Sequence, residues 1–509
     1  MPDNSVLIIG AGLAGLSAGI YAQRNGYQAH ILEHHSQPGG VAAWWRRGDY
    51  LIDDGIHFLM GHKPGSPLYD TYREVGALPG EGVVDMATYG RFVHEPTGRV
   101  VDVTGDLQRL ARDLKALAPG DARAVDELVA GANSMRGPAM WEVGFGNPPE
   151  LAGPLDLLKM MWAMRGAAKY LVGKYNHTVA EYVRDVRDPW LRSFVENLFL
   201  PEVPVWFIFM VLALLADGQM GLLPAGCEGF VMPMERRFKE LGGEISYHAT
   251  VEKILVAASP QGKKGDRAVG VRLADGTEHR AGAVISAADG QSTLFGMLDG
   301  RYVDKASAER YRTWKPINPT LMVSFGVARE FAGEPSTHIW WLREPFAVGP
   351  RKVEGMSVRL FNYGSAFAPP GKTVVQAMLD ADWDYWAALR EDRPRYNAEK
   401  ERVAAEILER LEDHYPGIAG QVEVIDVATP YTTWRYTRNW RGSIMGWLPS
   451  PKAMLTAMRR TLPGLRDFYM AGQWITPGGG VPTCIVSGRQ AVQLLCKRDG
   501  KRFVAAASK

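Results

Sequence analysis

The chain has 509 residues, 46% of them hydrophobic and 22% charged, which is ordinary for a folded protein and too long for a single core. Its formal net charge of +2 carries no basic excess or stripe, so nucleic acid is not an expected partner. Three widely spaced cysteines, Cys227, Cys484 and Cys496, suit a reducing compartment, and no zinc or haem spacing is present, so no metal site is expected. The first residues carry neither a basic n-region nor a long apolar h-region, so a cytoplasmic protein is expected.

The first predicted element is a strand over Val6 to Ile9, followed by apolar residues at helical spacing from Leu13 to Ala22. A turn at Gly26 leads to a second strand, Ala29 to Leu32. Between strand and helix lies G-x-G-x-x-G. Gly10 allows the tight turn, Gly12 lets backbone approach a diphosphate and Gly15 lets helix and strand pack closely, with Ala14 beside it as a further cofactor-binding candidate. The helix start then offers free N–H groups to phosphate. Glu33 closes the second strand where a carboxylate can accept the hydroxyls of an adenosine ribose and would repel a 2′-phosphate. His34 and His35 follow as a surface loop.

The fingerprint alone does not separate NAD from FAD. The next stretch, "SQPGGVAAWWRRGDYLIDDGIHFLMG", places Gly39 and Gly40 soon after the acid. Together with "HATVEKILV", "AVGVRLADGTEHRAGAVISAADG" and "FYMAGQWITPGGGVPTCIVSGRQAVQLL", it resembles the flavin amine oxidase superfamily, and within it the branch of phytoene desaturases, carotenoid isomerases and retinol saturases. The resemblance implies FAD, with Gly39 and Gly40 continuing the wrapping of its diphosphate and Val251 contacting the adenine through its backbone. No residue stands out for attachment, so the FAD is expected to be non-covalent. Two positions depart from the pattern: Val41 stands where many relatives carry Arg, and Gln473, after Gly472, where many carry an acid. An amide still accepts and donates hydrogen bonds, so binding is expected to survive.

The implied architecture is α/β: a Rossmann-type FAD-binding domain, a parallel sheet with helices, assembled from residues 1–85, 220–300 and 455–509. Residues 86–219 and 301–454 would form an inserted α+β substrate domain with an apolar helical region. In the first insert, "LDLLKMMWAMRGAAKYLVGKY" allows Leu157, Met161, Met164 and Ala168 to share a face, with Lys159, Arg165, Lys169 and Lys174 elsewhere. An interfacial helix has this makeup, and so does a surface helix. The run Val203 to Ala216 is shorter than the roughly 20 residues that span a bilayer, so it reads as a buried core helix, with the wall of a channel dipping into a membrane as the alternative. In the second insert, Leu321 to Ala328 and Thr373 to Leu379 read as strands and Asn397 to His414 as a helix.

Near the end, "ITPGGGVPTCIVSGRQAVQLL" reads as a glycine-rich turn running into an apolar helix. The N–H groups around Gly480 and Val481 would face the cofactor and stabilise negative charge there.

With no nucleophile elbow and no metal cluster, chemistry should rest on the flavin. His57 is the first candidate proton donor or acceptor, because the resemblance runs "DDGIHFLMG" beside the flavin ring. Tyr436 and Arg435, in "TPYTTWRYTRNWRGSIMGW", are candidates to hold a polar end of the substrate or assist proton transfer; the alternative is a twisted strand pair with Arg stacked on Trp.

The expected function is FAD-dependent desaturation, saturation or isomerisation at carbon–carbon bonds of a long apolar substrate such as a carotenoid, terpenoid or fatty acyl chain. Two alternatives are an amine oxidase acting on a C–N bond and a non-catalytic FAD-stabilised lipid-binding protein. No second dinucleotide fingerprint follows Gly40, so electrons are expected to pass through a quinone, oxygen or a loosely docking donor. A lipid partner would place the protein at the inner face of the membrane, held peripherally.

Overall fold

The computed structural model describes residues 4–137, 145–259 and 265–506. Its organising element is a five-stranded sheet in the order Glu244–Ser246, Gln28–Leu32, Ser5–Ile9, Ala283–Ser286, Phe468–Met470, with every neighbouring pair parallel. A parallel sheet needs both faces covered, and alternation along the strand Ser5–Ile9 does this. Val6 and Ile8 join the core beneath the helices Leu13–Arg24 and Gly480–Arg498. Leu7 and Ile9 point the other way, into a second core with Val251, Ile254 and Val271 of an antiparallel sheet.

The other large sheet has seven strands, ordered Val422–Ala428, Thr320–Val327, Thr373–Asp380, Arg351–Leu360, Thr337–Val348, Thr88–His94, Arg99–Thr104. Thr88–His94 pairs parallel with Thr337–Val348 and the remaining neighbours are antiparallel. Segments far apart in the chain thus share one sheet. The helix Arg393–His414 covers one of its faces through Val403, Ala404, Ile407 and Leu411.

The apolar run becomes the helix Val205–Ala216, largely buried, with Phe209 packed so closely on the helix Ala122–Ser134 that a Cβ on Gly131 would lie 2.5 Å from its ring. It is core, not a surface for lipid. The Leu157 region differs from expectation: its helix, Pro154–Met164, stops before Ala168 can join the face. Arg165 folds back to donate to the Trp162 carbonyl at 2.6 Å, Gly166 follows, and Ala167 is buried. No helix among the described residues is long and apolar enough to cross a membrane.

Candidate functional site

The glycines of the first turn each answer a different steric demand. Gly10 has φ +94°, a conformation that disfavours side chains, and a Cβ on Gly15 would stand 1.9 Å from the Gly10 carbonyl oxygen. Gly12 is different: a Cβ there would meet nothing closer than 3.9 Å, from Gly39 and Gly40. It caps the helix Leu13–Arg24 with no side chain bonded to the first turn and no acid in it, so the N–H groups remain available. Gly39 N donates to the Ala11 carbonyl at 2.9 Å, and Gly39 and Gly40 have φ +117° and +61°. These glycines form a bare backbone cradle at a helix start, a shape and charge that fit a diphosphate. Val41 lies just beyond, and its carbonyl would be 2.3 Å from a Cβ on Gly55.

The C-terminal turn joins the same cradle. A Cβ on Gly472 would be 3.9 Å from the Ala14 Cβ, and Gly472 N donates to Ser487 Oγ at 2.7 Å. Gln473 is buried, and Gly478 and Gly479 have positive φ before the helix Gly480–Arg498, whose first residue Gly480 has positive φ too and whose first turn holds Val481. Ser17 Oγ donates to the Ile485 carbonyl at 2.6 Å near the start of both helices, while Asn25 bonds Val504 beyond their ends at 2.8 and 2.9 Å. The helices therefore run the same way and open their N-termini on one side.

At the other end of the turn, Glu33 is buried. Its two oxygens accept from Ala11 N at 2.6 Å and His35 N at 2.7 Å, which fixes the carboxylate and leaves a lone pair on each oxygen. Burial pushes its pKa up, opposed by those N–H groups. Val251 begins its strand beside this point, since Ala249 N donates to the Glu33 carbonyl at 2.8 Å. Arg435 and Tyr436 also arrive here. They lie on a helix, Pro430–Thr437, rather than on paired strands: Thr429 caps its first turn and Pro430 opens it. The Arg stacking anticipated for a strand pair is nevertheless present, with Arg438 4.5 Å from the Trp434 ring.

His57 belongs to a different group. Asp53, fully buried, accepts from Cys227 N at 2.5 Å and so caps the helix Gly226–Glu240 from a neighbouring strand. Its backbone carbonyl accepts from Gln376. Arg359, also buried, donates to Gln376 Oε1 and the Tyr363 hydroxyl, each at 3.3 Å. Burial and the Arg359 cation hold the His57 pKa down to about 3, so the imidazole is neutral. Asp54 moves oppositely. Burial and the neighbouring charge of Asp53 raise its pKa to about 7, with Asp426 adding to the rise and Arg359 opposing it. Sequence reasoning did not single out Asp53, Asp54, Arg359 or Tyr363. The doubled acid before Gly55 was the available signal for the first two; Arg359 and Tyr363 have no local motif and come close only through the sheet.

The model of flavin containing amine oxidoreductases matches residues 13–496. The chain is 24% identical to the chloroplastic prolycopene isomerase of Arabidopsis thaliana, over 95% of this chain and 81% of that one. It is 22% identical to the all-trans-retinol 13,14-reductase of Danio rerio, over 92% and 82%. It is 24% identical to a lycopene-forming phytoene desaturase of a Paracoccus species, over 96% and 97%. Cyclohexylamine oxidase from Brevibacterium oxydans shares the fold, with a TM-score of 0.58 over 98% of this chain and 100% of that one at 16% identity. The chain belongs to the flavin containing amine oxidoreductase family, and it is an FAD-dependent oxidoreductase.

Proposed function

We propose that this enzyme desaturates, saturates or isomerises carbon–carbon bonds of a long apolar molecule of the carotenoid or retinoid kind. The observation that carries the reading is that relatives named for isomerising, reducing and desaturating polyenes each match at least 92% of the chain. In this reading Gly10, Gly12, Ala14, Gly15, Gly39, Gly40 and Val41 hold the FAD diphosphate. Glu33 and Val251 hold its adenosine, and Gly472, Gln473, Gly480 and Val481 its flavin end. Residues 1–85, 220–300 and 455–509 form the cofactor side, and 86–219 with 301–454 the substrate side.

FAD, when bound, supplies the hydride chemistry. Protons fall to the protein. A neutral His57 can donate or accept a hydrogen bond but has too little basicity to hold a proton, whereas Asp54 exchanges one near neutral pH. The surroundings suit an apolar substrate: the Phe58 ring meets Tyr89 at 6.0 Å directly after His57. A quinone or oxygen is the proposed electron partner, and the exposed helix Pro154–Met164 the proposed membrane contact.

The test is anaerobic incubation of the flavin-loaded protein with liposomes carrying phytoene, prolycopene or all-trans-retinol, either with a quinone added as electron acceptor or after prior flavin reduction, and chromatography of the products. Conversion of one polyene is expected. Turnover of putrescine or cyclohexylamine with all polyenes untouched would sink the proposal.

A further inference from the structure

His34 and His35 sit immediately after Glu33, and each ring is engaged by the helix Pro430–Thr437 or the residue that ends it. The His34 Nδ1 lies 2.7 Å from Thr250 Oγ1, the neighbour of Val251. Its Nε2 lies 3.1 Å from the Arg435 carbonyl and 3.1 Å from Arg438 Nε. The His35 ring meets Tyr436 edge-on at 4.8 Å. Three separate pieces of chain, around Glu33, Thr250 and Arg435 to Arg438, therefore border one small region.

Nothing in the packing of the core requires these side chains. Tyr436 is 43% exposed, and Arg435 and Arg438 are exposed as well. The helix end is nonetheless held in a definite place. Arg438 takes the left-handed conformation at φ +55° that stops the helix, and its guanidinium covers Trp434. The result is an aromatic ring and two guanidinium groups, fixed but only partly covered, beside the carboxylate that marks the ribose.

We propose that the end of the helix Pro430–Thr437 is a clasp on the adenosine half of FAD. Tyr436, backed by His35 and with Arg435 5.2 Å from its ring, offers an aromatic surface to the adenine, and Arg438 adds positive charge at the same edge. His34 joins the clasp to Thr250. This rests on the FAD assignment and assigns Arg435 and Tyr436 to the cofactor rather than to the substrate's polar end or to proton transfer. It also links the substrate side of the chain to retention of the nucleotide, because residues 430–438 follow directly on the seven-stranded sheet.

The experiment compares Tyr436→Ala and Arg438→Gly with the wild type as flavin-loaded full chains. Glycine suits a positive φ, so Arg438→Gly removes the cation while relaxing the backbone, and an exposed Tyr436 can be truncated without opening the core. FAD release is followed by the rise of free flavin fluorescence on dilution. Each variant is expected to release FAD about tenfold faster, equivalent to one lost contact of ordinary strength. ADP should compete less well with FAD for the stripped variants, while FMN, which lacks the adenosine half, should bind them as it binds wild type. Unaltered FAD and ADP binding together with a raised KM for the polyene would overturn the clasp and return these residues to the substrate. A wild type that binds no FAD would instead overturn the cofactor assignment beneath it.

Discussion

Asp54 and His57 stand three residues apart and titrate in opposite senses, with consequences for stability. An unfolded Asp has a pKa near 3.9, and folding raises Asp54 to about 7. Between those values the folded chain binds the extra proton, so this group's contribution falls as pH rises from about 4 to about 7 and is fully unfavourable above that. His57 drops from 6.5 to about 3, so its contribution falls as pH is lowered through that window. The two slopes partly cancel in the wild type. Asp54→Asn should therefore stabilise the protein at pH 8 by about 1–3 kcal/mol, after discounting for its half-buried carboxylate, and by nothing near pH 4. Thermal melts across pH measure this; an equal gain at both ends would show that Asp54 is charged throughout. Gly12 and Gly15 make a second contrast. Gly12→Val adds atoms where the protein leaves open space, so the variant should fold yet purify without flavin, read from its visible absorbance. Gly15→Ala drives a Cβ into the Gly10 carbonyl and should cost about 2–4 kcal/mol whether or not FAD is present, read from the melt of the stripped protein.

At the scale of elements, what could be read from the sequence depended on how local the determinant was. The first strand, helix and second strand were legible because each glycine acts on backbone within a few residues, and Glu33 closes the unit. The terminal turn was legible for the same reason, since Gly478 to Gly480 precede an apolar helix. The helix Pro430–Thr437 was harder. Its aromatic and Thr-rich composition favours a strand, although Thr429 before Pro430 is a helix-start pair that outweighs it locally. The helix Pro154–Met164 was read as longer because Met, Leu and Lys keep helical spacing to Tyr175, and spacing alone does not register the side chain of Arg165 turning back on Trp162. Least legible was the Asp53, Arg359, Tyr363 and Gln376 network. Its members have no sequence relation to one another; Gln376 and Arg359 meet only because their strands pair in register.

For the whole molecule, the proposed polyene substrate raises the question of how such a molecule would reach the enzyme, and the most exposed apolar surface among the described residues suggests a route. The helix Pro154–Met164 has no buried residue, and Leu155, Leu158, Met161 and Trp162 are 73%, 60%, 61% and 67% exposed. Val172, 63% exposed, extends the patch beyond the helix end. Such area is unusual on a free surface and normal at a membrane or partner contact. The adjoining charges are cationic, with exposed Lys159, Arg165 and Lys169 against the single acid Asp156, and Arg165 lies 3.8 Å over the Trp162 ring. This combination suits anionic headgroups, with the apolar side chains entering the acyl boundary and the helix lying in the plane. The wild type should float with anionic liposomes and less so as salt rises, because screening weakens the cationic share. Leu158→Asp with Trp162→Asp should stay at the bottom of the gradient while keeping its flavin and melting temperature, since neither side chain supports the core. If the wild type sinks as well, the proposed membrane contact is overturned, and the proposed polyene would have to reach the enzyme by another route than direct uptake from the bilayer.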